Sequence, residues 1–523
     1  MMHIFLSFNV LKDDLRLLKY LIENGVSDFV LSPGSRNAPL SIALNQAAEK
    51  GQIDLHIKLD ERGAAFFALG ISKASEGYVA LVCTSGTAVA NYLPAALEAL
   101  HGDNKLLFLT ADRPARLRET GANQTTNQVN IFNGIKTFDL NVFKPIDLLN
   151  GPVHINLQFD EPLIGDSDTD WLNGIHPKLT PKTKESSAKK LKVSGNGLVV
   201  VGHDKGGFTP EEIENFSQGL VLISEDPLSF SGSIRGASIF LAEEKVKNYL
   251  KPDYVLIFGR TTLSRSINNF IALADEQYVI DKKIERIDPK RSATQSFIEL
   301  PNLEIENIAE SYRRNFEEAS RLAQVETPWG EQRIAEIFAC EIPDSSAVFI
   351  GSSRPIRDVE GFAAPRKGLR VFANRGLAGI DGNLSTIFGI AEKFKTTFAL
   401  IGDITFLHDL SALISPPKNN CRIFVVQNNG GGIFSTLPQA GVDGFERIFG
   451  TPHNQNLTKI ISGFGIESEV IKSESDLKRA ISHNVKGLKI FVLEVPNREV
   501  MAKNLKEIYA KVSSAVRIGF NLA

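Results

Sequence analysis

Two short segments in the last third of the chain carry oxygen atoms in a pattern suited to a divalent cation. The apolar run Phe398–Ile401 empties into Gly402-Asp403, and the run Ile423–Val426 empties, after Gln427, into Asn428-Asn429-Gly430-Gly431-Gly432. Such runs read as neighbouring strands of a parallel sheet. In that arrangement the ligand crevice lies beyond the carboxyl ends of the strands, so the Asp403 carboxylate and the Asn428 amide oxygen converge there. Hard oxygen ligands suit Mg²⁺, which keeps positions open for water and phosphate oxygens. The glycines let backbone amides and a carbonyl come close to a diphosphate. Taken alone, the same residues also read as an Asp-capped helix followed by a glycine turn.

A second segment of this kind is Asp60-Glu61-Arg62-Gly63, a carboxylate between an apolar run and the small-residue helix Ala64–Ala74. By itself such a Glu serves equally well to complement the helix dipole. Further loops combine Arg with Gly and Ser at strand ends: Ser32–Asn37 (SPGSRN), Thr110–Pro114 (TADRP) followed by Gly121–Gln124 (GANQ), Gly351–Arg357 (GSSRPIR) and Asn374–Gly382 (NRGLAGIDG). A lone loop Arg is ordinarily a solvated charge. Repeated at strand ends of a slightly acidic protein, these arginines point to a pocket for a multiply anionic small molecule.

The elements that must hold these loops recur along all 523 residues, long enough for several domains. Short β-branched runs followed by helical patterns imply strand–loop–helix units, an α/β fold with parallel sheets. The runs are 28–31, 55–59, 79–83, 106–110 and 153–157 in the first third, 198–201, 220–223, 254–258 and 278–280 in the middle, and 347–350, 371–373, 398–401, 423–426 and 490–493 in the last third. Residues 177–194, rich in Lys, Ser, Thr and Pro, read as a linker between a first domain (1–176) and a middle domain (195–325). The break at Glu326–Gly330 separates the latter from a third domain (331–523).

Composition narrows the function. Apolar residues at 43% and charged residues at 23% are ordinary for a folded globular chain, and the net charge of −3 disfavours a nucleic-acid partner. Cys83, Cys340 and Cys421 show neither a zinc spacing nor a disulfide framework, and the first residues lack the basic start of a signal peptide, so a cytoplasmic protein is expected. The uncharged stretch Gly77–Leu97 is long enough to span a bilayer, but its Thr, Ser, Gly, Asn and Pro residues fit a strand, turn and helix better, and no membrane span is expected. G-x-G-x-x-G, P-loop, G-x-S-x-G and H-E-x-x-H patterns do not occur.

Together the segments resemble the thiamine diphosphate enzymes of the pyruvate decarboxylase and acetolactate synthase type. Within that group, Ser32–Leu40, Asp60–Gly70, Thr84–Ala95, Leu109–Pro114, Gly121–Gln124, Gly151–Asn156, Asn374–Gly382, Gly402–Leu413 and Asn428–Ser435 resemble the 2-succinyl-5-enolpyruvyl-6-hydroxy-3-cyclohexene-1-carboxylate synthases of menaquinone biosynthesis. The likeness runs from about Leu31 to Ser435 and is least specific in the middle domain. It implies a pyrimidine-binding first domain and a diphosphate-binding third domain. It also implies a homodimer or dimer of dimers whose sites lie at the subunit interface.

The reaction implied is decarboxylation of 2-oxoglutarate and addition of the four-carbon fragment to isochorismate. By the same resemblance, Asp403, Asn428 and the Gly430 carbonyl hold Mg²⁺ or Mn²⁺ on the cofactor diphosphate. Glu61 hydrogen-bonds the aminopyrimidine, and Ile380 bends the cofactor. Ser85, Gly86, Gly402 and Ile433 complete the cofactor site, while Ser35, Arg36, Arg113, Asn123, Gln124, Arg265, Ser353, Arg357 and Arg375 face the substrates. Gln427 stands where many thiamine diphosphate enzymes have Asn, and Ile404 where they have Gly. Arg354 and Pro355 make the loop after Ser353 more basic and stiffer than the pattern leads one to expect. The alternatives are another 2-oxoacid decarboxylase or carboligase of this fold, or a non-catalytic ligand-binding homologue.

Overall fold

The computed structural model describes residues 10–148, 151–164, 170–176, 189–283 and 291–522. The first sheet contains β1 (Asp28–Leu31), β2 (Asp54–Ile57), β3 (Val79–Cys83), β4 (Leu106–Asp112), β5 (Lys136–Leu140) and β6 (Val153–Gln158), in the order β2-β1-β3-β4-β6-β5. A two-stranded sheet pairs β7 (Lys190–Ser194) with a later strand, β13. The second large sheet holds β8 (Gly197–Val201), β9 (Val221–Ser224), β10 (Tyr254–Phe258), β11 (Glu276–Ile280) and β12 (Gln295–Phe297), in the order β12-β11-β10-β8-β9, and β13 is Asn302–Glu306. The third is built from β14 (Ala347–Ile350), β15 (Arg370–Phe372), β16 (Thr396–Gly402), β17 (Asn420–Gln427), β18 (Glu467–Ile471) and β19 (Leu488–Glu494), in the order β15-β14-β16-β17-β19-β18. Every strand pair described is parallel.

Central strands such as β3, β4 and β14 are buried along their whole length, as parallel strands covered on both faces must be. One expectation is corrected. Of the segment read as a linker, 177–188 lie outside the described residues, but Lys190–Ser194 form β7, whose exposed lysines alternate with buried Leu191 and Val193. Among the described residues no helix is long and apolar enough to cross a membrane. The Gly77–Leu97 stretch resolves into β3, the helix Thr87–Asn91 and the start of the helix Leu93–Gly102.

The chain forms two compact units. The first takes residues up to Thr183 with Asn374–Lys395 and His408–Asn419, and the second takes Lys184–Ala373, Thr396–Leu407 and Asn420–Ala523. In the first unit, Asp60 caps the helix Glu61–Ser75 by accepting a hydrogen bond from the Arg62 amide at 3.0 Å. From Gly63 to Ser72 every residue of this helix is buried, because small and apolar side chains surround it. It packs on the helix Asn383–Lys393 at a glycine crossing. A Cβ at Gly389 would stand 2.0 Å from the Phe67 carbonyl oxygen, and one at Gly70 2.1 Å from that of Thr386.

Gly389→Ala should therefore force these backbones apart and lower stability by about 1–3 kcal/mol. Thermal or urea unfolding reads this directly, and an unchanged midpoint would mean the helices do not meet at this glycine in solution.

Candidate functional site

In the first unit, β1 to β4 are parallel, so the segments after their last residues share one edge of the sheet. Ser35 and Arg36 follow β1, Glu61 follows β2, Ser85 and Gly86 follow β3, and Arg113 follows β4. Two of these segments, those after β3 and β4, are tied together. The Arg113 guanidinium donates to Ser85 Oγ and to the Gln124 carbonyl, both at 2.8 Å. Ser85 Oγ donates to the same carbonyl at 3.0 Å, and Gln124 Nε2 donates back to the Ser85 carbonyl at 3.0 Å. Arg36 donates to the Phe159 carbonyl at 3.2 Å and pairs with Glu161 at 3.1 Å. Burial, and then the charge of Arg36, hold Arg113 below its ordinary value, so the two cations sense each other. Ser35 and Asn123 are exposed and Glu61 is half-buried. Burial, with a smaller contribution from the Glu61 charge, pushes the Cys83 thiol at the end of β3 upward.

Beneath this edge lies a buried polar network. The Gly86 amide donates to Gln128 Oε1 at 3.2 Å, and Gln128 Nε2 donates to the Ala111 carbonyl at 3.0 Å and to Asn156 Oδ1 at 2.7 Å. Thr110 Oγ1 donates to Asn156 Oδ1 at 3.0 Å and lies 2.7 Å from His154 Nε2, while Thr137 Oγ1 lies 3.1 Å from His154 Nδ1. Burial lowers His154 from its ordinary 6.5 to about 3. The same unit holds the Asn374–Gly382 loop, with Arg375 and Ile380 half-buried. Buried Glu98 fixes that loop by accepting from the Gly376 and Leu377 amides, each at 2.7 Å.

The second unit holds Asp403 and Asn428 at the ends of adjacent strands β16 and β17. Asp403 is 2% exposed, and its Oδ2 accepts from the Asn429 amide at 2.7 Å and the Gly430 amide at 3.2 Å, with His453 Nε2 at 3.1 Å. Gly430 is irreplaceable twice over: its φ is +134°, and a Cβ would stand 2.2 Å from the Gly450 carbonyl oxygen. Its own carbonyl accepts from the Gly432 amide at 2.9 Å, which leaves a second lone pair. Asn428 Nδ2 donates to Glu331 Oε1 at 2.7 Å, whereas Asn428 Oδ1 is buried and has no hydrogen-bond partner among the described residues. Gly402 ends β16, and Ile433 lies half-buried in the short turn Gly432–Thr436.

Ser353 opens the helix Arg354–Phe362 with φ +73°, a strained value for a residue bearing a Cβ. Arg357 donates to the Ser353 carbonyl at 2.6 Å. Arg265 is exposed at the start of the helix Arg265–Ile271. The expected basic loop is not a loop beyond Ser353. Arg354 is the first residue of the helix and turns inward, where it pairs with Asp358 and lies 3.5 Å from Glu331.

Sequence reasoning missed Glu331, His453, Gln128 and Glu98. Each acts through a partner remote in sequence, and none stands in a pattern of its own. Burial, then the neighbouring Asp358, pushes the Glu331 carboxyl up to about 7.

The chain has relatives among known proteins. A family model described as the N-terminal TPP binding domain of thiamine pyrophosphate enzymes matches residues 15–131. A solved benzoylformate decarboxylase from Polynucleobacter necessarius shares the fold, with a TM-score of 0.63 at 14% identity, over 94% of this chain and 99% of that one. The architecture and the matched domain define a thiamine diphosphate enzyme class. The 2-succinyl-5-enolpyruvyl-6-hydroxy-3-cyclohexene-1-carboxylate synthase of Thermobifida fusca is 33% identical over 96% of this chain and 98% of its own length. That of a Nocardioides species is 34% identical over 94% and 97%. The chain belongs to the 2-succinyl-5-enolpyruvyl-6-hydroxy-3-cyclohexene-1-carboxylate synthase family.

The network under Gly86 makes a pH prediction. Unfolded His154 takes a proton near 6.5 and the folded ring only near 3, so this residue costs no stability above 6.5. Between those values it costs about 1.4 kcal/mol per pH unit as the pH falls. The melting temperature should drop on acidification from pH 6.5 to 4.5, and drop less in His154→Gln. Parallel curves for the two proteins would refute the assignment.

Proposed function

We propose that this protein uses thiamine diphosphate and Mg²⁺ or Mn²⁺ to decarboxylate 2-oxoglutarate and to add the four-carbon fragment to isochorismate. The products are 2-succinyl-5-enolpyruvyl-6-hydroxy-3-cyclohexene-1-carboxylate and CO₂. The observation that carries the reading is the placement of Asp403 and Asn428, whose buried oxygen has no hydrogen-bond partner among the described residues, at adjacent strand ends beside a glycine loop. One carboxylate, one amide oxygen and the spare lone pair of the Gly430 carbonyl form a donor set that fits a hard divalent cation carrying phosphate oxygens.

Bound thiamine diphosphate supplies the electron sink that lets a 2-oxoacid lose CO₂. The protein's part is to bind, orient and move protons. Asp403, Asn428 and Gly430 hold the cation, and Gly402 and Ile433 flank the diphosphate. Glu61 holds a proton at the aminopyrimidine and sets its tautomer. Ser85 and Gly86 would border the aminopyrimidine, and Ile380 would pack against the bound cofactor. Both substrates are dianions, which gives Arg36, Arg113, Arg357, Arg375 and Arg265 carboxylates to bind, with Ser35, Asn123, Gln124 and Ser353 as polar contacts. In this reading residues 1–176 are the pyrimidine-binding domain, 195–325 the middle domain and 331–523 the diphosphate-binding domain. The assembly is a homodimer or dimer of dimers, with Glu61 of one chain and Asp403 of the partner subunit acting on one cofactor. A cytoplasmic location fits the free cysteines Cys83, Cys340 and Cys421.

The test supplies thiamine diphosphate and Mg²⁺ and follows CO₂ release and product mass. Consumption of 2-oxoglutarate and isochorismate in equal amounts, with one CO₂ per product, is the expected result. Decarboxylation of 2-oxoglutarate indifferent to isochorismate would replace the reading with another carboligase, and cofactor binding with no turnover of either would point to a non-catalytic homologue.

A further inference from the structure

We propose that Glu331 is a positioning residue that fixes which end of the Asn428 amide is offered to the cation, an inference that rests on the proposed function. An amide side chain has two ends of similar shape and opposite character, a donor NH₂ and an acceptor oxygen, and only the oxygen serves a metal. Asn428 Nδ2 donates to Glu331 Oε1 at 2.7 Å. The reversed amide would set its oxygen against a carboxylate oxygen, two acceptors in contact, so the carboxylate selects one orientation. The consequence is visible at the other end, where Asn428 Oδ1 is buried and has no hydrogen-bond partner among the described residues. A buried acceptor in that state carries a desolvation cost unless a ligand meets it.

Glu331 is itself held in place. It is the first residue of the helix Glu331–Glu341 and is 7% exposed, with its Oε2 lying 3.5 Å from Arg354 Nε. Arg354 also pairs with Asp358, which accepts from Gln332 Nε2 at 3.0 Å. A buried carboxylate is tolerated only with such compensation. The basic residue after Ser353 thereby serves the cation seat through Glu331. Partners that orient metal ligands in this way typically contribute 10–100-fold to metal affinity.

The experiment titrates thiamine diphosphate in the presence of Mg²⁺ by calorimetry at pH 8, into the parent, Glu331→Gln, Glu331→Asp, Asn428→Asp and the double variant Glu331→Gln/Asn428→Asp. Glu331→Gln frees the amide to reverse and should weaken binding about 10–100-fold, while Glu331→Asp, which keeps the charge, should stay closer to the parent. Asn428→Asp offers an oxygen at either end, so orientation no longer matters. Adding Glu331→Gln to it should leave affinity unchanged or raise it, because two adjacent carboxylates are relieved. Equal binding by the parent and Glu331→Gln would overturn the inference. So would the same fold-loss in both backgrounds, the mark of a purely structural role. Absence of binding by the parent would instead overturn the proposed function, and this inference with it.

Discussion

A carboxylate buried to 2% exposure needs hydrogen-bond donors inside the protein, and the loop at the ends of β16 and β17 provides them for Asp403. Two of its donors are the backbone amides of Asn429 and Gly430, presented by a loop that reverses direction directly after β17. That reversal needs Gly430 at φ +134° with the Gly450 carbonyl close by, and it places Asn429 in the left-handed region at φ +63°, where Asn is tolerated best. The same turn leaves the Asn428 side chain at the strand end, braced by Glu331. One requirement, satisfying a buried negative oxygen, thus accounts for Gly430 and for the left-handed Asn429 that precedes it.

The first sheet solves a different problem with the same geometry. Its edge gathers cations, and two of them, Arg36 and Arg113, stand near enough to repel one another. They are held by neutral groups more than by acids: Arg113 bonds to Ser85 Oγ and the Gln124 carbonyl, and Arg36 to the Phe159 carbonyl. Glu161, paired with Arg36, is largely exposed. Cations satisfied mainly by neutral acceptors keep most of their charge available to an anionic ligand. In a chain of net charge −3 this is a local concentration of positive potential.

The central strands were legible because their apolar runs are buried on both faces and are bounded by polar loops. Strands β5, β7, β12, β13 and β18 were not read, and each lies at the edge of its sheet or in the two-stranded sheet. There one side meets solvent and charges alternate with apolar residues, as in Asn302–Glu306, so the pattern resembles a linker. The residues proposed to bear ligands were legible because Asp403, Asn428, Glu61 and the arginines sit in motifs at strand ends. Their supports were not. Glu331 meets Asn428 across 97 positions and Glu98 meets Gly376 across 278, pairings that exist only in the folded chain. Arg354 belongs to the same category, since its burial depends on Glu331 and Asp358.

The claim on which the account turns is that the Asp403 loop seats a divalent cation together with the cofactor diphosphate. Calorimetric titration of thiamine diphosphate into the parent and into Asp403→Ala, each with Mg²⁺ and then with a chelator, tests it most directly. Saturable binding by the parent that requires the metal, and its loss in Asp403→Ala under either condition, is the expected result. Undiminished affinity in the variant, or in the parent with chelator present, would contradict it.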